Sequence, residues 1–201
     1  MAIPHLVRRA AEFGAIQKRT ELRRFMAFLE PRRLETVVEI GTQYGGTLLC
    51  WCRLAEPDAV ILSIDLPPEK FGGGGCTPER VEEMRLLFPR ERQALHLLRA
   101  DSHEQSTLSE VEDILGGKAV DFLFIDGDHT YEGVKLDFEM YGPLVKRGGI
   151  IAFHDILDPP AEVSPGCQVR AFWEEIKDGY RHIEFKGKPY QWGGIGALWQ
   201  K

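Results

Sequence analysis

The chain has 201 residues, of which 43% are hydrophobic and 28% are charged, a composition typical of a globular domain large enough to bury a core. The formal net charge of −6 argues against a dedicated nucleic-acid-binding protein. No apolar run approaches membrane-spanning length, the N-terminus lacks an apolar signal segment, and the four cysteines form no C-x-x-C pair. We therefore expect a cytoplasmic protein with free thiols that binds neither nucleic acid nor membranes.

The first 35 residues are expected to form a helical N-terminal extension. They carry eight Lys or Arg against four Glu, and apolar residues recur at three- and four-residue steps from residue 4 to residue 30. Gly14 is a natural break between two helices, and Pro31 ends the second. Three roles fit such an extension: a lid over a ligand crevice, packing on a sheet edge, or contact with a second subunit in a homo-oligomer.

An apolar strand at residues 37–40 leads into a glycine-rich turn and then into a helix that runs to about residue 55. This combination is typical of a site for a nucleotide-like or anionic ligand. Gln43 stands where the dinucleotide motif G-x-G-x-x-G has its second glycine, which argues against NAD. Glu39 lies at the end of the buried strand and needs a partner, which a cationic group of a ligand would supply. The alternative is an ordinary strand–loop–helix unit.

The rest of the chain alternates apolar strands with helices. Strands are predicted at residues 59–65, 94–100, 119–125, 148–153, 180–185 and 195–199. Helices are predicted at residues 77–88, 103–115, 131–141 and 169–177. Thr77 is the expected N-cap of the first of these helices, and Ser102 and Gln105 are expected to form a capping box at the second. The loops at residues 66–76 and 156–167 are expected to border a ligand crevice, the first of them as a mobile flap.

This order of elements predicts an α/β fold. The expected sheet is doubly wound, mostly parallel and Rossmann-like, with seven strands, helices on both faces and an antiparallel C-terminal strand. Residues 36–201 would form this domain and residues 1–35 its extension. Because ligands in open α/β sheets bind beyond the carboxyl ends of the strands, the side chains at those ends are the candidates for function.

Acidic residues end the second and third predicted strands. Asp65 lies 24 residues after Gly41, where an acid in such a unit accepts hydrogen bonds from ribose hydroxyls. A helix cap or a surface acid is the alternative for Asp65. Asp101 and Ser102 follow the third strand, and they could either contact an adenine edge or serve as helix caps.

A second group of polar residues follows the fourth and fifth strands. Asp126, Asp128 and His129 follow the fourth strand, and His154 and Asp155 follow the fifth. Adjacent parallel strands would bring these groups to one rim, where they would repel one another unless a cation or a proton is shared. Asp126, His154 and Asp155 suit a divalent metal; carboxylates favour Mg²⁺ or Ca²⁺, and an imidazole favours Mn²⁺, Fe²⁺ or Zn²⁺. The alternative is that these residues orient loop backbone and cap the next turn.

Taken together, these motifs resemble those of class I S-adenosylmethionine-dependent methyltransferases. The matching positions are Glu39-x-Gly41-x-x-x-Gly45, Asp65, Asp101-Ser102 and Asp126. Residues 124–131 and 148–155 narrow the resemblance to small-molecule O-methyltransferases of the catechol and macrocin or novobiocin-sugar types, with the cephalosporin-hydroxylase-like group beside them. The resemblance covers about residues 36–156.

The resemblance implies S-adenosylmethionine as the cofactor. The residues that it assigns to cofactor binding are Glu39, Gly41, Thr42, Tyr44, Gly45, Thr47, Asp65, Asp101, Ser102 and Asp126. Glu39 and the glycine turn would contact the methionine part, with Thr47 near its carboxylate. Asp65 would bind the ribose, and Asp101 and Ser102 would lie at the adenine.

The resemblance also implies a metal site and a base. Metal-dependent members have an Asp after the fourth strand and two adjacent ligands after the fifth, and Asp126, His154 and Asp155 stand at those places. The family usually has a carboxylate where this chain has His154, so Mg²⁺, Mn²⁺ and Fe²⁺ are all candidates. The base in similar enzymes follows the metal Asp by two or three residues, which offers Asp128 or His129. We prefer His129, because the unperturbed pKa of an imidazole lies near neutrality.

The expected reaction is metal-assisted methyl transfer to a hydroxyl of a small molecule, a sugar or a phenolic natural product. The protein would order an in-line attack on the methyl group, and His129 or Asp128 would take the hydroxyl proton. Three alternatives remain open: an NAD-linked oxidoreductase on the same fold, hydrolase or hydroxylase-associated chemistry at the metal, and a non-catalytic cofactor-binding subunit.

Overall fold

The computed structural model describes residues 2–67, 77–90, 92–160, 162, 166–187 and 192–201. Most of the loop predicted at residues 66–76, including Cys76, and part of the loop predicted at residues 156–167 lie outside the described residues. The three cysteines within them, Cys50, Cys52 and Cys167, are free thiols.

Helices and strands alternate through the described chain. The helices are α1 (Ile3–Glu12), α2 (Arg19–Leu29), α3 (Gly46–Leu54), α4 (Pro78–Leu87), α5 (Gln105–Leu115), α6 (Tyr131–Tyr141) and α7 (Val169–Ile176). The strands are β1 (Thr36–Ile40), β2 (Val60–Asp65), β3 (Ala94–Arg99), β4 (Val120–Ile125), β5 (Val145–Leu157), β6 (His182–Phe185) and β7 (Gly193–Trp199). Short 3₁₀ turns at Gly142–Leu144 and Lys177–Gly179 follow α6 and α7.

The strands form a seven-stranded sheet in the order β3-β2-β1-β4-β5-β7-β6. Neighbours from β3 to β5 pair in parallel, and β7 pairs antiparallel with both β5 and β6. The predicted fold class, a mostly parallel α/β sheet with an antiparallel C-terminal strand, is therefore confirmed. The strand order reverses between β1 and β4, and this is where open α/β sheets bind ligands.

Both faces of the sheet are covered, which is why its central strands read as continuous apolar runs. All residues of β1 and β4 are buried. One apolar cluster joins Val37 and Phe122 to α3 and the N-terminal helices, and the other joins Val38 and Leu123 to α5, α6 and α7. Because alternate residues of a strand point to opposite faces, β1 and β4 each contribute to both clusters.

The N-terminal helices pack on the same face of the sheet as α3. Phe25 of α2 is fully buried, and its ring centroid lies 5.9 Å from that of Trp51 in α3 and 5.7 Å from that of Phe122 in β4. Phe25 also lies 5.3 Å from Phe185 of β6 by the same measure. Residues 2–29 thus contribute to the core. The division at residue 35 and the contact with a second subunit stay predictions.

Two helix starts were predicted in detail, with different outcomes. The hydroxyl of Thr77 accepts a hydrogen bond from the Arg80 backbone at 3.3 Å, so Thr77 is the predicted N-cap of α4. The capping box from Ser102 to Gln105 was wrong, because α5 begins at Gln105 with Glu104 as its N-cap. Asp101 turns the chain instead, and its Oδ1 accepts from the His103 backbone at 3.0 Å.

Among the residues that the structure describes, no helix combines the length and the apolar character needed to cross a bilayer.

Candidate active site

A cavity of about 450 Å³ lies beyond the carboxyl ends of β1, β2, β3 and β4. Its lining comes from seven segments, residues 14–17, 40–43, 46–47, 64–66, 100–103, 126–130 and 166–167. The cavity therefore joins the glycine turn, the two acidic strand ends and the loop after β4 into one space. Pockets of this size at the reversal point of an α/β sheet are typical of small-molecule sites.

The glycine turn is held tightly against the loop after β4. Gly41 has φ +89°, and a Cβ at this position would lie 1.9 Å from the carbonyl oxygen of Asp126. The Gly41 N–H donates to the carbonyl of Ile64 at 2.9 Å, and the Asp126 N–H donates to that of Ile40 at 2.8 Å. Glycine is required at this place because both the backbone conformation and the close approach exclude a side chain.

Asp65 orders the turn as well as facing the cavity. Its Oδ2 accepts from the Gln43 N–H and from the Arg99 guanidinium, both at 3.0 Å. Gln43 itself has φ +46°, a left-handed conformation that is uncommon for a residue other than glycine. Burial raises the pKa of the Asp65 carboxyl, and the contact with Arg99 acts against that rise.

Glu39 does not line the cavity. It is fully buried, its Oε1 accepts from Trp51 Nε1 at 2.7 Å, and its Oε2 accepts from the Ser63 hydroxyl at 3.1 Å. Burial raises the pKa of Glu39 to about 8, and hydrogen bonds from Thr47, Trp51 and Ser63 limit the rise. The partner that the sequence demanded for this carboxyl is thus supplied by the protein, and Thr47 links Glu39 to the cavity wall.

The other predicted cofactor contacts divide in two. Those that line the cavity are Gly41, Thr42, Thr47, Asp65, Asp101, Ser102 and Asp126. Tyr44 and Gly45, like Glu39, are absent from that lining. Tyr44 is 45% exposed, and Gly45 lies close to Met84 and Phe88 on the far side of the turn.

At the end of the cavity beside β3, a histidine sits on a buried carboxylate. His103 Nε2 lies 3.3 Å from Oδ1 of Asp137, whose side chain is fully buried in α6. This contact outweighs the effect of burial and raises the pKa of His103 to about 8. His103 was not singled out from the sequence, although it directly follows the predicted pair Asp101 and Ser102.

At the opposite end, two histidines and two aspartates converge. His154 Nδ1 lies 3.3 Å from Asp126 Oδ1 and 3.3 Å from Asp155 Oδ1. His129 Nε2 lies 3.4 Å from Asp126 Oδ1, and its Nδ1 lies 3.6 Å from Asp155 Oδ2. The side chain of His129 is 30% exposed, whereas those of His154 and Asp155 are 0% and 4% exposed. His129 is therefore the most accessible member of the cluster, and Asp155 has φ +60°, a left-handed conformation that is uncommon for a residue other than glycine.

Charges of opposite sign stabilise one another in this cluster. Burial alone would raise the pKa of Asp126, but His154 and His129 outweigh it and lower that pKa to about 2. Burial likewise opposes the charged form of His154, yet Asp126, Glu21 and Asp155 raise its pKa well above the usual value. The hydrogen bond to Asp126 is the main cause of the raised pKa of His129.

The donor set fits a divalent metal. Asp126, His154 and Asp155 offer ligand atoms that all lie within 4.8 Å of one another. Among the described residues, His154 Nδ1 and Asp155 Oδ1 are buried and have no hydrogen-bond partner. Unpartnered buried polar atoms are costly, and a cation between them would satisfy both. Asp155 also belongs to a second such group with His129 and Cys167.

Asp128, the other candidate base, lines the cavity but is engaged in the loop. Its Oδ1 accepts from the Thr130 N–H at 2.8 Å, and the rest of its carboxyl group packs against Gly133 at the start of α6. A carboxylate used in this way has less freedom to receive a proton than the imidazole of His129.

Sequence reasoning missed two residues from the N-terminal segment. Gln17 donates from Nε2 to Asp126 Oδ2 at 2.7 Å, and Glu21 lies 3.3 Å from His154 Nε2 through its Oε1. Both are more than a hundred positions from their partners, so no local spacing indicates either contact. The one available signal was an acid among the apolar positions of a helix, since Glu21 precedes Leu22 and lies one turn before Phe25.

The sheet order and the cavity at its reversal point define a Rossmann-like domain of the methyltransferase class. Residues 38–156 match the model of a family described as a methyltransferase domain. The chain belongs to this family. The predicted resemblance to class I methyltransferases is therefore confirmed, and the NAD-linked alternative is not favoured.

Two curated proteins are similar to this chain in sequence, and the name of neither states an activity. The chain is 30% identical over 183 residues to the uncharacterized protein y4gI of Sinorhizobium fredii, a match that covers 86% of this chain and 18% of that protein. It is 29% identical over 162 residues to the uncharacterized protein R132 of Acanthamoeba polyphaga mimivirus, which covers 81% of this chain and 67% of that protein. The chain thus spans less than a fifth of the first relative and about two thirds of the second.

Solved structures agree in fold. A putative caffeoyl-CoA O-methyltransferase from Staphylococcus aureus has a TM-score of 0.69 at 18% identity, covering 99% of this chain and 93% of that one. The O-methyltransferase TomG from Streptomyces achromogenes, solved with S-adenosylmethionine, has a TM-score of 0.63 at 19% identity, covering 98% and 90%. The fold of this chain is that of the O-methyltransferases.

Proposed function

We propose that the chain transfers the methyl group of S-adenosylmethionine to a hydroxyl of a small molecule, a sugar or phenolic natural product, with the help of a divalent metal. The observation that carries this proposal is the cavity, which joins the glycine turn and Asp65 to Asp126 and His129. The glycine turn and Asp65 would bind the methyl donor, and Asp126 and His129 would act on the acceptor hydroxyl in the same cavity. The structure of TomG contains S-adenosylmethionine and that of the Bacillus cereus O-methyltransferase contains S-adenosylhomocysteine, the product left after methyl transfer, and both are consistent with this donor.

The cofactor would lie along the glycine turn. The methionine part would follow Gly41, Thr42 and Thr47, and the ribose would reach Asp65. The Gln43 N–H and the Arg99 guanidinium both bind Oδ2 of Asp65, and the carboxylate, which lines the cavity, would also accept from the ribose hydroxyls. Asp101 and Ser102 border the space where the adenine would lie.

The acceptor would approach from the side of His129. Because the sulfonium carries a good leaving group, the protein mainly has to align the hydroxyl oxygen with the methyl carbon. A divalent metal held by Asp126, His154 and Asp155 would lower the pKa of a hydroxyl bound to it and fix its direction. His129 would take the proton, and Asp126, 3.4 Å from His129 Nε2, would stabilise the imidazolium that forms. Gln17 holds Oδ2 of Asp126, so Oδ1 faces both histidines.

Calorimetry with S-adenosylmethionine and turnover against a panel of hydroxylated acceptors test the proposal. We expect binding of the donor, turnover of at least one sugar or phenol, and inhibition by excess chelator. Asp126→Asn should lower turnover at least about a thousandfold, because it removes a metal ligand and the partner of His129. Asp113→Asn, an exposed acid in α5, is the matched control and should retain full activity.

The outcomes separate the parts of the proposal. Absence of donor binding would overturn it altogether. Full turnover with excess chelator would remove the metal and leave His129 as the base. Donor binding without turnover of any acceptor would favour the non-catalytic cofactor-binding subunit.

We also propose that the chain acts in the cytoplasm and that a homo-oligomer, if formed, uses the N-terminal helices. The outer face of α1 carries the basic side chains of Arg8 and Arg9, paired with Glu12 at 4.0 and 3.5 Å. Light scattering of the wild-type chain and of Arg8→Glu tests the oligomer contact, because a dimer formed through α1 should dissociate in the variant.

A further inference from the structure

We propose that Glu21 is a positioning residue that turns the Nδ1 atom of His154 toward the metal site, so that helix α2 supplies a necessary part of the active centre. The inference deepens the proposed function and rests on its metal site. The inference also reduces the number of candidate metals, because an imidazole ligand favours Mn²⁺, Fe²⁺, Co²⁺ or Zn²⁺ over Mg²⁺.

The Glu21 carboxylate is fixed in place. The residue is fully buried, its Oε1 accepts from the Lys18 N–H at 2.8 Å, and its Oε2 accepts from the Gly194 N–H at 2.9 Å. One bond comes from the start of α2 and the other from β7, so neither oxygen can move without breaking a backbone hydrogen bond. A charged group buried in this way is retained only where its partners repay its desolvation.

Glu21 contacts the imidazole of His154 at Nε2, the nitrogen that faces away from Asp126 and Asp155. Its Oε1 lies 3.3 Å from His154 Nε2, and the His154 side chain is 0% exposed. Gly193 leaves room for the pair, since a Cβ at that residue would lie 3.2 Å from Glu21 Oε1 and 3.6 Å from His154 Nε2. Because a carboxylate can only accept, the Nε2 atom facing it carries the hydrogen.

The other nitrogen of His154 then faces the site. Nδ1 lies 3.3 Å from an oxygen of Asp126 and 3.3 Å from an oxygen of Asp155, and among the described residues it has no hydrogen-bond partner. With Nε2 protonated toward Glu21, Nδ1 would offer its lone pair to a divalent metal bound where the two carboxylates converge. A carboxylate that holds the remote nitrogen of a metal-bound histidine fixes the tautomer and ring orientation, and its loss lowers metal affinity about 10- to 100-fold.

One other arrangement competes with this one. A doubly protonated His154 could be paired with Glu21, Asp126 and Asp155, and the cluster would then be an ion-pair centre with no place for a metal. The two arrangements differ in what Nδ1 does when a divalent metal is offered, and this difference is directly measurable.

The first test measures Co²⁺ and Mg²⁺ binding by calorimetry and by the visible absorption of Co²⁺, with no acceptor present. We expect wild type to bind Co²⁺ at least about tenfold more tightly than Mg²⁺, and Glu21→Gln to bind Co²⁺ about 10- to 100-fold more weakly with an altered spectrum. Glu30→Gln, an exposed acid at the end of the same helix, should match wild type. Affinity for S-adenosylmethionine should be equal in all three, because Glu21 does not line the cavity.

The second test needs no variant, which matters because Glu21 also ties α2 to β7. In the full chain labelled with ¹⁵N-histidine, Zn²⁺ should shift the Nδ1 signal of His154, while its Nε2 stays protonated. Unchanged Co²⁺ affinity in a folded Glu21→Gln variant, a Zn²⁺ shift at Nε2, or no metal binding by wild type would each overturn the inference. In the last case, intact binding of S-adenosylmethionine would show that the cofactor part of the proposed function stands.

Discussion

Replacement of Glu39 by glutamine tests whether this carboxyl is a structural group or a cofactor ligand. Glu39 is fully buried with hydrogen bonds from Trp51 and Ser63, and its pKa is raised from 4.5 to about 8. An unfolded chain releases the Glu39 proton above pH 4.5, whereas the folded chain keeps it up to about pH 8. Unfolding therefore becomes more favourable as pH rises through this window, and the stability associated with a neutral Glu39 is lost.

The size of the effect follows from the shift. Each pKa unit corresponds to about 1.4 kcal/mol, so between pH 5.5 and pH 8 the wild-type chain should lose about 3 kcal/mol of unfolding free energy through Glu39 alone. Glutamine does not titrate, so the stability of wild type relative to Glu39→Gln should fall by this amount. For a domain of this length, the relative melting temperature should change by about 6 to 12 °C.

Urea unfolding of both proteins, followed by tryptophan fluorescence at half-unit pH steps, measures this difference. The subtraction cancels the other titrating groups, and Glu110→Gln, an exposed acid in α5, should show no pH-dependent difference from wild type. A difference that stays constant or rises with pH would refute the reasoning, because Glu39 would then be ionised in the folded chain. The affinity of Glu39→Gln for S-adenosylmethionine should differ from that of wild type by less than about threefold. A loss of affinity above about tenfold would indicate that Glu39 contacts the cofactor directly.

Two further predictions concern the ends of the cavity. Gly41→Ala should lower the affinity for S-adenosylmethionine at least about tenfold, because the new Cβ would lie 1.9 Å from the Asp126 carbonyl oxygen. Gly148→Ala is the matched control, because Gly148 has the same left-handed backbone, at φ +78°, but a Cβ there would have nothing within 4 Å. The control variant should bind S-adenosylmethionine as wild type does. Equal affinity and equal unfolding temperatures in the two alanine variants would contradict the importance of that close approach. His103 should titrate with a pKa of about 8 in an NMR experiment, and Asp137→Asn should lower that midpoint toward 6.5. The stability that this pair contributes is present below about pH 6.5 and lost as pH rises through about 8, so a pH-independent difference between wild type and Asp137→Asn would argue against the pair.

The fold was predictable from sequence because its central strands are buried on both faces and read as apolar runs, and acids follow several of the strands. Parallel strands bring those ends together, so the positions of Asp65, Asp101 and Asp126 along the chain were enough to assign them to one crevice. The same logic brought His154 and Asp155 next to Asp126, and the structure places all three within one cluster.

The orientation of Glu39 is less evident from the sequence, although the alternation of side chains between the two faces of β1 indicates it. Glu39 shares the face of Val37, which packs toward α3 and Trp51, while its neighbour Ile40 lines the cavity. A carboxylate beside a glycine turn suggests a ligand, and the alternation along β1 points it into the core. Ser102 shows a similar conflict, because the spacing of a capping box was present but the helix starts three residues later.

Gln17 and Glu21 could not be assigned because their partners are distant in sequence. Polar residues in an amphipathic N-terminal segment are normally read as solvent-exposed, and the pairing of Glu21 with His154 depends on how α2 packs across the sheet. Such contacts depend on tertiary packing, which a single sequence does not display.

The close approach of Gly41 to the Asp126 carbonyl has a consequence for which acceptors the chain can accommodate. The glycine turn and the loop after β4 meet backbone to backbone, and the Asp126 N–H is hydrogen-bonded to the Ile40 carbonyl, so these two walls of the cavity cannot separate without breaking that contact. Variation among acceptors must then be absorbed by the segments at residues 14–17 and 166–167, which border the same space from outside the sheet. On the proposed function, exchanging these two segments between related chains should therefore change which acceptor is methylated and leave binding of the methyl donor unchanged.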